Sequence, residues 1–347
     1  MLKNIGYNDT IIKRNFMKYI ITYQEQSKNI CFNELKKLNA NFKEVLALNE
    51  CQSLIQLNLP ENEFAQNVLL TPIIFIRHIM SINYEFEKPV NNNDILKNIF
   101  ARLNPSKSFS IQFLCNIQRN NCKINIQELA KYIEEKSYIL NVKKPQQIVS
   151  IFETSTNIYI GIGDEYQNLS TYKAGQPHFS KNFEFVSRAE YKLLEALNLC
   201  KIDLSNLKLG ADLGSAPGGW TKVLASHNIN THSIDPASLA PDIKAMSNVK
   251  YFRMTTQEYL QKYDYDNFDI IVNDMKMDIF PSTQIIMDFY PRLAPNGYVV
   301  MTFKLSKNFK YNDIISCINT LKKKYTLLLA RQLFHNRSEI TVVLKKV

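Results

Sequence analysis

The chain has 347 residues, 45% of them hydrophobic, which is sufficient for two or three domains with packed cores. Lys and Arg outnumber Asp and Glu by 42 to 32, so the formal net charge is +10 and a polyanionic partner is favoured. A compositional bias towards Lys, Asn and Ile is the alternative explanation of this charge. The longest apolar run, residues 68–80, is interrupted by Pro72, Arg77 and His78, so no membrane span is predicted.

The six cysteines include no Cys-x-x-Cys pair and no Cys/His cluster with the spacing of a zinc site, so no metal is expected. They are interpreted as buried, reduced thiols. The N-terminus lacks the charged and then apolar pattern of a signal peptide, and the expected location is therefore the cytoplasm. The oligomeric state is not predicted.

Residues 1–16 are predicted to be a loose extension, with regular structure beginning at Met17. Residues 17–90 then alternate between strand and helix. The predicted elements are a strand at 17–24, a helix at 30–38, two short strands within 45–59, a helix at 61–70 and an extended region at 73–86. This order predicts a small ferredoxin-like α+β domain.

A second α+β domain is predicted at residues 91–165, after a polar break at 91–93. Its predicted elements are a helix at 94–103, a strand at 108–118, a helix at 126–136 with Asn125 as its N-cap, and a hairpin formed by 147–153 and 157–162. Residues 166–186 are polar and contain Gly175-Gln176-Pro177. They are interpreted as a linker.

Residues 187–347 alternate regularly between helices and short apolar strands. After a helix at 187–199, strands are predicted at 209–213, 232–235, 251–254, 268–273, 297–303, 325–333 and 340–345. Such alternation indicates a mainly parallel sheet with helices on both faces, which is a Rossmann-like α/β architecture. The last two strands are expected to pair as an antiparallel hairpin at the end of the sheet.

The strongest motif is residues 211–220, which read Ala-Asp-Leu-Gly-Ser-Ala-Pro-Gly-Gly-Trp. A strand, a glycine-rich turn and a helix N-terminus form a site for a nucleotide-like cofactor. The spacing is not G-x-G-x-x-G, so a dinucleotide is a poor fit. Asp235 ends the next strand at the offset expected of an acidic residue that binds a ribose diol.

This decapeptide is similar to the S-adenosylmethionine loop of FtsJ-type RNA ribose 2′-O-methyltransferases. The resemblance implies S-adenosylmethionine as the cofactor. The implied cofactor residues are Ser187, Gly214, Ala216, Pro217, Gly218, Gly219, Trp220, Asp235, Thr255 and Asp274. At the end of the third strand the family pattern has an acidic residue near the adenine. This chain has Thr255 there, whose hydroxyl or backbone N–H could serve instead.

FtsJ-type enzymes use a Lys-Asp-Lys-Glu tetrad, and this sequence supplies all four members in order. By resemblance they are Lys192 in the first helix, Asp274 after the fourth strand, Lys304 at the end of the fifth and Glu339 at the start of the last. Lys304 is expected to be the base that removes the proton of a ribose hydroxyl. Asp274 is expected beside the sulfonium, orienting that lysine. Glu339 is expected to hold Lys192 or the hydroxyl.

Residues 330–342 resemble the terminal motif of the bacterial 23S ribosomal RNA cytidine 2′-O-methyltransferases of the M type. That family joins a ferredoxin-like domain, a THUMP domain and an FtsJ-type domain, and it also has a Gly-x-Pro linker. Residues 108–162 resemble a THUMP domain, chiefly in 142–145, 149–151 and 158–161. This resemblance implies that residues 91–165 are a THUMP domain that presents RNA to the catalytic domain. An unrelated α+β domain is the alternative. This chain departs from the family pattern with Ala216 in place of Cys and with Thr255 in place of Asp.

Other functions remain open. The tetrad does not separate ribosomal RNA from transfer RNA or an mRNA cap as the substrate. A noncatalytic RNA-binding protein with a methyltransferase fold is disfavoured by the intact tetrad, and a Rossmann oxidoreductase by the missing dinucleotide motif. His335 and Arg337 either contact RNA or lie in a solvated turn before the last strand.

Overall fold

A computed structural model describes residues 16–70, 73–118, 122, 124–177, 189–264 and 267–347. Ser187 and nearly all of the predicted extension 1–16 lie outside the described residues. The described elements form three sheets, each with helices packed against it.

The first sheet has the strand order β2-β3-β1-β4, with β1 antiparallel to both of its neighbours. Its strands are β1 Met17–Thr22, β2 Lys43–Asn49, β3 Gln52–Leu57 and β4 His78–Ser81, and its helices are α1 Lys28–Leu38 and α2 Glu61–Leu70. This order and connectivity are those of the ferredoxin-like arrangement that the sequence predicts.

The second sheet has the order β5-β8-β7-β6. Its elements are β5 Tyr84–Glu87, α3 Asn92–Phe100, β6 Phe109–Cys115, α4 Ile126–Glu134, β7 Gln147–Glu153 and β8 Asn157–Asp164. The predicted hairpin is present as β7 and β8. Asn125 caps α4, because its side chain accepts hydrogen bonds from the N–H groups of Gln127 and Glu128. The extended region predicted at 73–86 contributes one strand to each of the two sheets.

His78 in β4 links the first two sheets. Its ring is buried, and Nε2 lies 2.8 Å from Oε1 of Gln112 in β6. Burial lowers the pKa of His78 from 6.5 to about 4, although the hydrogen bond to Gln112 opposes this shift.

Stability is therefore expected to fall as the pH falls from 6.5 to about 4. In this window the unfolded chain binds a proton at His78 that the folded protein does not bind. The loss attributable to this group is about 3 kcal/mol. Urea unfolding of the wild type and of His78→Gln across this window should show a shallower dependence in the variant. Parallel curves for the two proteins would contradict the assignment.

The third sheet has seven strands in the order β11-β10-β9-β12-β13-β15-β14. Its strands are β9 Leu209–Leu213, β10 Asn230–Ile234, β11 Val249–Phe252, β12 Phe268–Asn273, β13 Leu293–Lys304, β14 Tyr325–Arg331 and β15 Glu339–Lys346. Its helices are α5 Ala189–Leu199, α6 Gly219–Ser226, α7 Pro241–Lys244, α8 Thr256–Lys262, α9 Ile279–Asp288 and α10 Tyr311–Leu321.

The first five strands are parallel neighbours, which confirms the predicted Rossmann-like arrangement. The last two strands pair antiparallel, also as predicted. The pair stands at the end of the sheet as predicted, with β14 rather than the last strand, β15, at the edge. β15 inserts between β13 and β14 and runs antiparallel to both.

The first and third sheets share one apolar core. Phe75 and Phe309 stack with ring centroids 6.2 Å apart, and the N–H of Gln332 donates to the carbonyl of Ile74 at 2.8 Å. This contact buries apolar side chains of both domains. Removal of the first domain would therefore expose the apolar surface of the C-terminal domain that it covers.

Residues 166–177, at the start of the predicted linker, pack on the protein. Asn168 and Leu169 are buried, and Arg331 donates to the carbonyl of Leu169. The six cysteines are free thiols, but only Cys31 and Cys317 are buried, which corrects the expectation for the other four. Among the described residues, no helix has the length and apolar character required to cross a membrane.

Candidate active site

Four charged side chains from separate elements meet at one edge of the third sheet. Asp274 follows β12, and Lys304 ends the neighbouring parallel strand β13. Parallel strands present their carboxyl ends at the same edge, which brings these two residues together. β15 runs in the opposite direction, so its first residue, Glu339, pairs directly with Lys304. Lys192 reaches the same edge from α5.

These side chains form a closed ring in which amines and carboxylates alternate, referred to below as the charged ring. Lys192 Nζ lies 2.8 Å from Asp274 Oδ2 and 2.9 Å from Glu339 Oε1. Lys304 Nζ lies 2.5 Å from Asp274 Oδ1 and 2.5 Å from Glu339 Oε2. Thr302 adds a hydrogen bond from its hydroxyl to Asp274 Oδ1 at 2.7 Å. Each carboxylate therefore bridges both amines.

Two members of the ring, Asp274 and Lys192, are held in their charged forms. Burial alone would raise the pKa of Asp274, but the charges of Lys304 and Lys192 outweigh it and hold that pKa below its usual value. Burial would likewise lower the pKa of Lys192, but Asp274 and Glu339 outweigh it and raise that pKa. Lys192 is thus stabilised as a cation. It is also the less exposed of the two lysines, at 10% against 22% for the side chain of Lys304.

The glycine-rich loop, residues 214–218, joins β9 to α6 next to the charged ring. Gly214 has a φ of +72° and Gly218 a φ of +119°, values that favour glycine. A Cβ at Gly214 would lie 2.0 Å from Cγ of Met275, the residue after Asp274. Gly218 precedes α6, whose leading N–H groups have no acceptor within the helix. These N–H donors fit the carboxylate of S-adenosylmethionine. The carboxylate of Asp274 fits its sulfonium.

Gly214→Ala is expected to destabilise the protein by about 2 kcal/mol, because the new Cβ meets both a strained φ and the Met275 side chain. Urea unfolding and the dissociation constant of S-adenosylmethionine measure the effect. Gly163→Ala is the comparison, since its Cβ meets the Gln167 side chain at a similar distance of 2.1 Å but its φ is not positive. Equal effects of the two substitutions would argue against a special role for Gly214.

Asp235 lies directly after β10 and is tied to the loop. Its carboxylate accepts hydrogen bonds from the N–H of Ala216 at 3.0 Å and of Ala237 at 2.7 Å. Carboxylate oxygens accept more than one hydrogen bond, so the carboxylate can also accept from a ribose diol. This contact stays a prediction. Thr255 caps α8, and its hydroxyl donates to Glu258 at 2.9 Å. Its contact with an adenine also stays a prediction.

Trp220 and Ser187 are also predicted to bind the cofactor. Trp220 is 2% exposed, and its indole N–H donates to the carbonyl of Ala189 at 2.6 Å. The indole therefore packs in the core and holds the start of α5, and a contact between Trp220 and the cofactor stays a prediction. Ser187 lies outside the described residues.

Sequence reasoning did not assign a role to Asp212, which is fully buried at the end of β9. Burial raises the pKa of this carboxyl group to about 7, and Thr221 opposes the rise by donating to it from its hydroxyl at 2.6 Å. Thr221 contacts Ser233, which donates to Ser215 in the loop at 2.7 Å. An acidic residue in an apolar strand is the signal that could have identified this network. The network connects β9, α6 and β10 to Ser215 of the loop.

Residues 185–326 match the family model described as FtsJ-like methyltransferase. Most of the C-terminal domain thus resembles this family, which depends on S-adenosylmethionine. This match argues against the oxidoreductase alternative.

Three relatives are similar to parts of this chain. The chain is 27% identical over 64% of its length to the ribosomal RNA large subunit methyltransferase M of Pseudoalteromonas translucida, and 28% identical over 56% to that of Methylococcus capsulatus. It is 25% identical over 47% of its length to an uncharacterised protein of Methanocaldococcus jannaschii. The chain spans 64%, 57% and 47% of these relatives, respectively.

Proposed function

We propose that this protein transfers a methyl group from S-adenosylmethionine to the 2′-hydroxyl of a ribose in RNA. The observation that carries the proposal is the charged ring, in which two amines and two carboxylates converge beside the glycine-rich loop. The FtsJ-like family match supports the methyl donor. The net charge of +10 supports a polyanionic substrate.

Each residue of the ring has a distinct task in this proposal. A ribose hydroxyl is a poor nucleophile until a base removes its proton, and we assign that role to Lys304. Lys192 is held as a cation by Asp274 and Glu339, and Lys304 is the amine more open to a substrate, with 22% of its side chain exposed against 10% for Lys192. The two carboxylates fix the positions of both amines, which aligns the hydroxyl for transfer. S-adenosylmethionine, when bound, supplies an electrophilic methyl group and an additional positive charge.

The substrate we infer is large-subunit ribosomal RNA, at a cytidine. The two bacterial relatives are ribosomal RNA large subunit methyltransferases, which supports this RNA, as does the resemblance of residues 330–342 to their family. We further infer that residues 91–165 are a THUMP domain. The packing of the first domain against the third sheet supports a fixed position for the N-terminal part of the chain, as a role in presenting RNA requires.

The test is transfer of labelled methyl groups from S-adenosylmethionine to total RNA from cells that lack this protein. Mapping of the labelled nucleotide then identifies the substrate. Label at a ribose of large-subunit RNA supports the full proposal. Label in transfer RNA or at an mRNA cap supports ribose methylation with a different substrate. A folded protein that binds the donor but labels no RNA would support the noncatalytic alternative.

A further inference from the structure

A cavity of about 500 Å³ opens beside the charged ring. One wall is the first turn of α5, with Tyr191 and Lys192, and the other is formed by residues 334–337 and Glu339. Two members of the charged ring thus face this cavity. Its volume lies in the range of pockets that hold small organic ligands.

The cavity contains an aromatic platform. The rings of Tyr191 and His335 stack with centroids 5.0 Å apart and an interplanar angle of 11°. Phe334 meets His335 edge-on, with centroids 5.1 Å apart. Tyr191 and His335 are half-buried, and Arg337 is exposed at the same wall. Aromatic faces of this kind stack on unpaired nucleobases.

Glu195 fixes the platform from behind. This buried carboxylate accepts hydrogen bonds from the N–H groups of Phe334 at 2.9 Å and His335 at 3.1 Å, and it contacts His335 Nδ1 at 2.7 Å. The first domain holds the other side, because Arg77 donates to the carbonyl of Gln332 at 3.2 Å and lies over the ring of Phe334. A segment anchored on both sides is preorganised for a ligand.

We propose that this cavity binds the target nucleoside in an unstacked conformation, a proposal that rests on the function proposed above. The base lies against the platform of Tyr191 and His335, and the ribose lies towards Lys192 and Glu339. Arg337 is placed to contact an adjacent phosphate. The platform thus sets the position of the ribose relative to the charged ring.

The test compares Tyr191→Ala with Tyr191→Phe in the full-length protein. The kcat/KM for RNA and the affinity for a fluorescent single-stranded RNA hexamer are expected to fall on the order of tenfold to a hundredfold in Tyr191→Ala. Tyr191→Phe should restore most of this loss, because it keeps the ring. The affinity for S-adenosylmethionine should stay within about twofold in both variants, a small change on the scale of tenfold per 1.4 kcal/mol.

Leu328→Ala is the control, since it truncates an exposed apolar side chain on β14 in the same domain. Wild-type kinetics and wild-type hexamer affinity in Tyr191→Ala would overturn the nucleoside site while leaving the proposed function intact. If the wild type methylates no RNA, the proposed function fails, and the hexamer measurement alone then decides the site. Equal losses in Tyr191→Ala and Tyr191→Phe would also overturn stacking as the cause.

Discussion

Lys304→Met is expected to lower the rate of methyl transfer by at least about a hundredfold, the lower end of what a general base contributes. Methionine has a similar length but no amine to accept the proton of the ribose hydroxyl. The ring keeps Asp274 and Lys192, so S-adenosylmethionine should bind with nearly wild-type affinity. Single-turnover transfer to unmodified RNA measures the first quantity, and calorimetry measures the second.

Lys323→Met serves as the control for Lys304→Met. Lys323 is an exposed lysine in the turn between α10 and β14. Its loss removes one positive charge without touching the charged ring, so activity should stay close to that of the wild type. Undiminished transfer by Lys304→Met would remove Lys304 as the base and leave the cofactor assignment standing.

The second large effect is expected at Asp274, which contacts both lysines. Asp274→Asn leaves two partly buried ammonium groups with one carboxylate, Glu339, and should lower the free energy of unfolding by about 3 kcal/mol. Adding Lys192→Met restores the charge balance and should recover part of this loss. Urea unfolding of the two single variants and the double variant gives the coupling energy directly.

Additive effects of Asp274→Asn and Lys192→Met would contradict the closed ring. The distances of 2.8 Å and 3.0 Å between Lys192 Nζ and the Asp274 oxygens require a coupling well above zero. Methyl transfer should be lost in Asp274→Asn, because the carboxylate that orients Lys304 is gone. A fully active Asp274→Asn variant would therefore contradict the assigned roles as well.

The four ring residues were predictable from sequence, because each lies in a recognisable motif. Asp274 and Lys304 lie where strands end, Glu339 starts the last strand, and Lys192 lies in α5, the first helix of the C-terminal domain. Their geometry was not predictable. Glu339 meets Lys304 because the last strand inserts beside β13 in antiparallel register. The sequence indicates an antiparallel pair but not the insertion, since strand order depends on contacts between residues far apart in the chain.

Around the glycine-rich loop, too, some features are predictable from sequence and others are not. Gly214 and Gly218 stand out in sequence because a turn before a helix requires positive φ. The sequence does not reveal the burial of the Trp220 indole or the stacking of Tyr191 on His335. An aromatic residue in a sequence does not indicate which part of the protein it packs against.

The amino-acid sequence by itself determined the ferredoxin-like order of the first domain, the alternation of the third sheet and the identity of the charged residues. These properties follow from local periodicity, turn chemistry and motif spacing. Only the tertiary structure decided the closure of the ring, the burial of Asp212 and the cavity beside Lys192. Those properties depend on which surfaces pack together, and charge pairing joins residues far apart in the chain, such as Lys192 and Glu339, which are 147 positions apart.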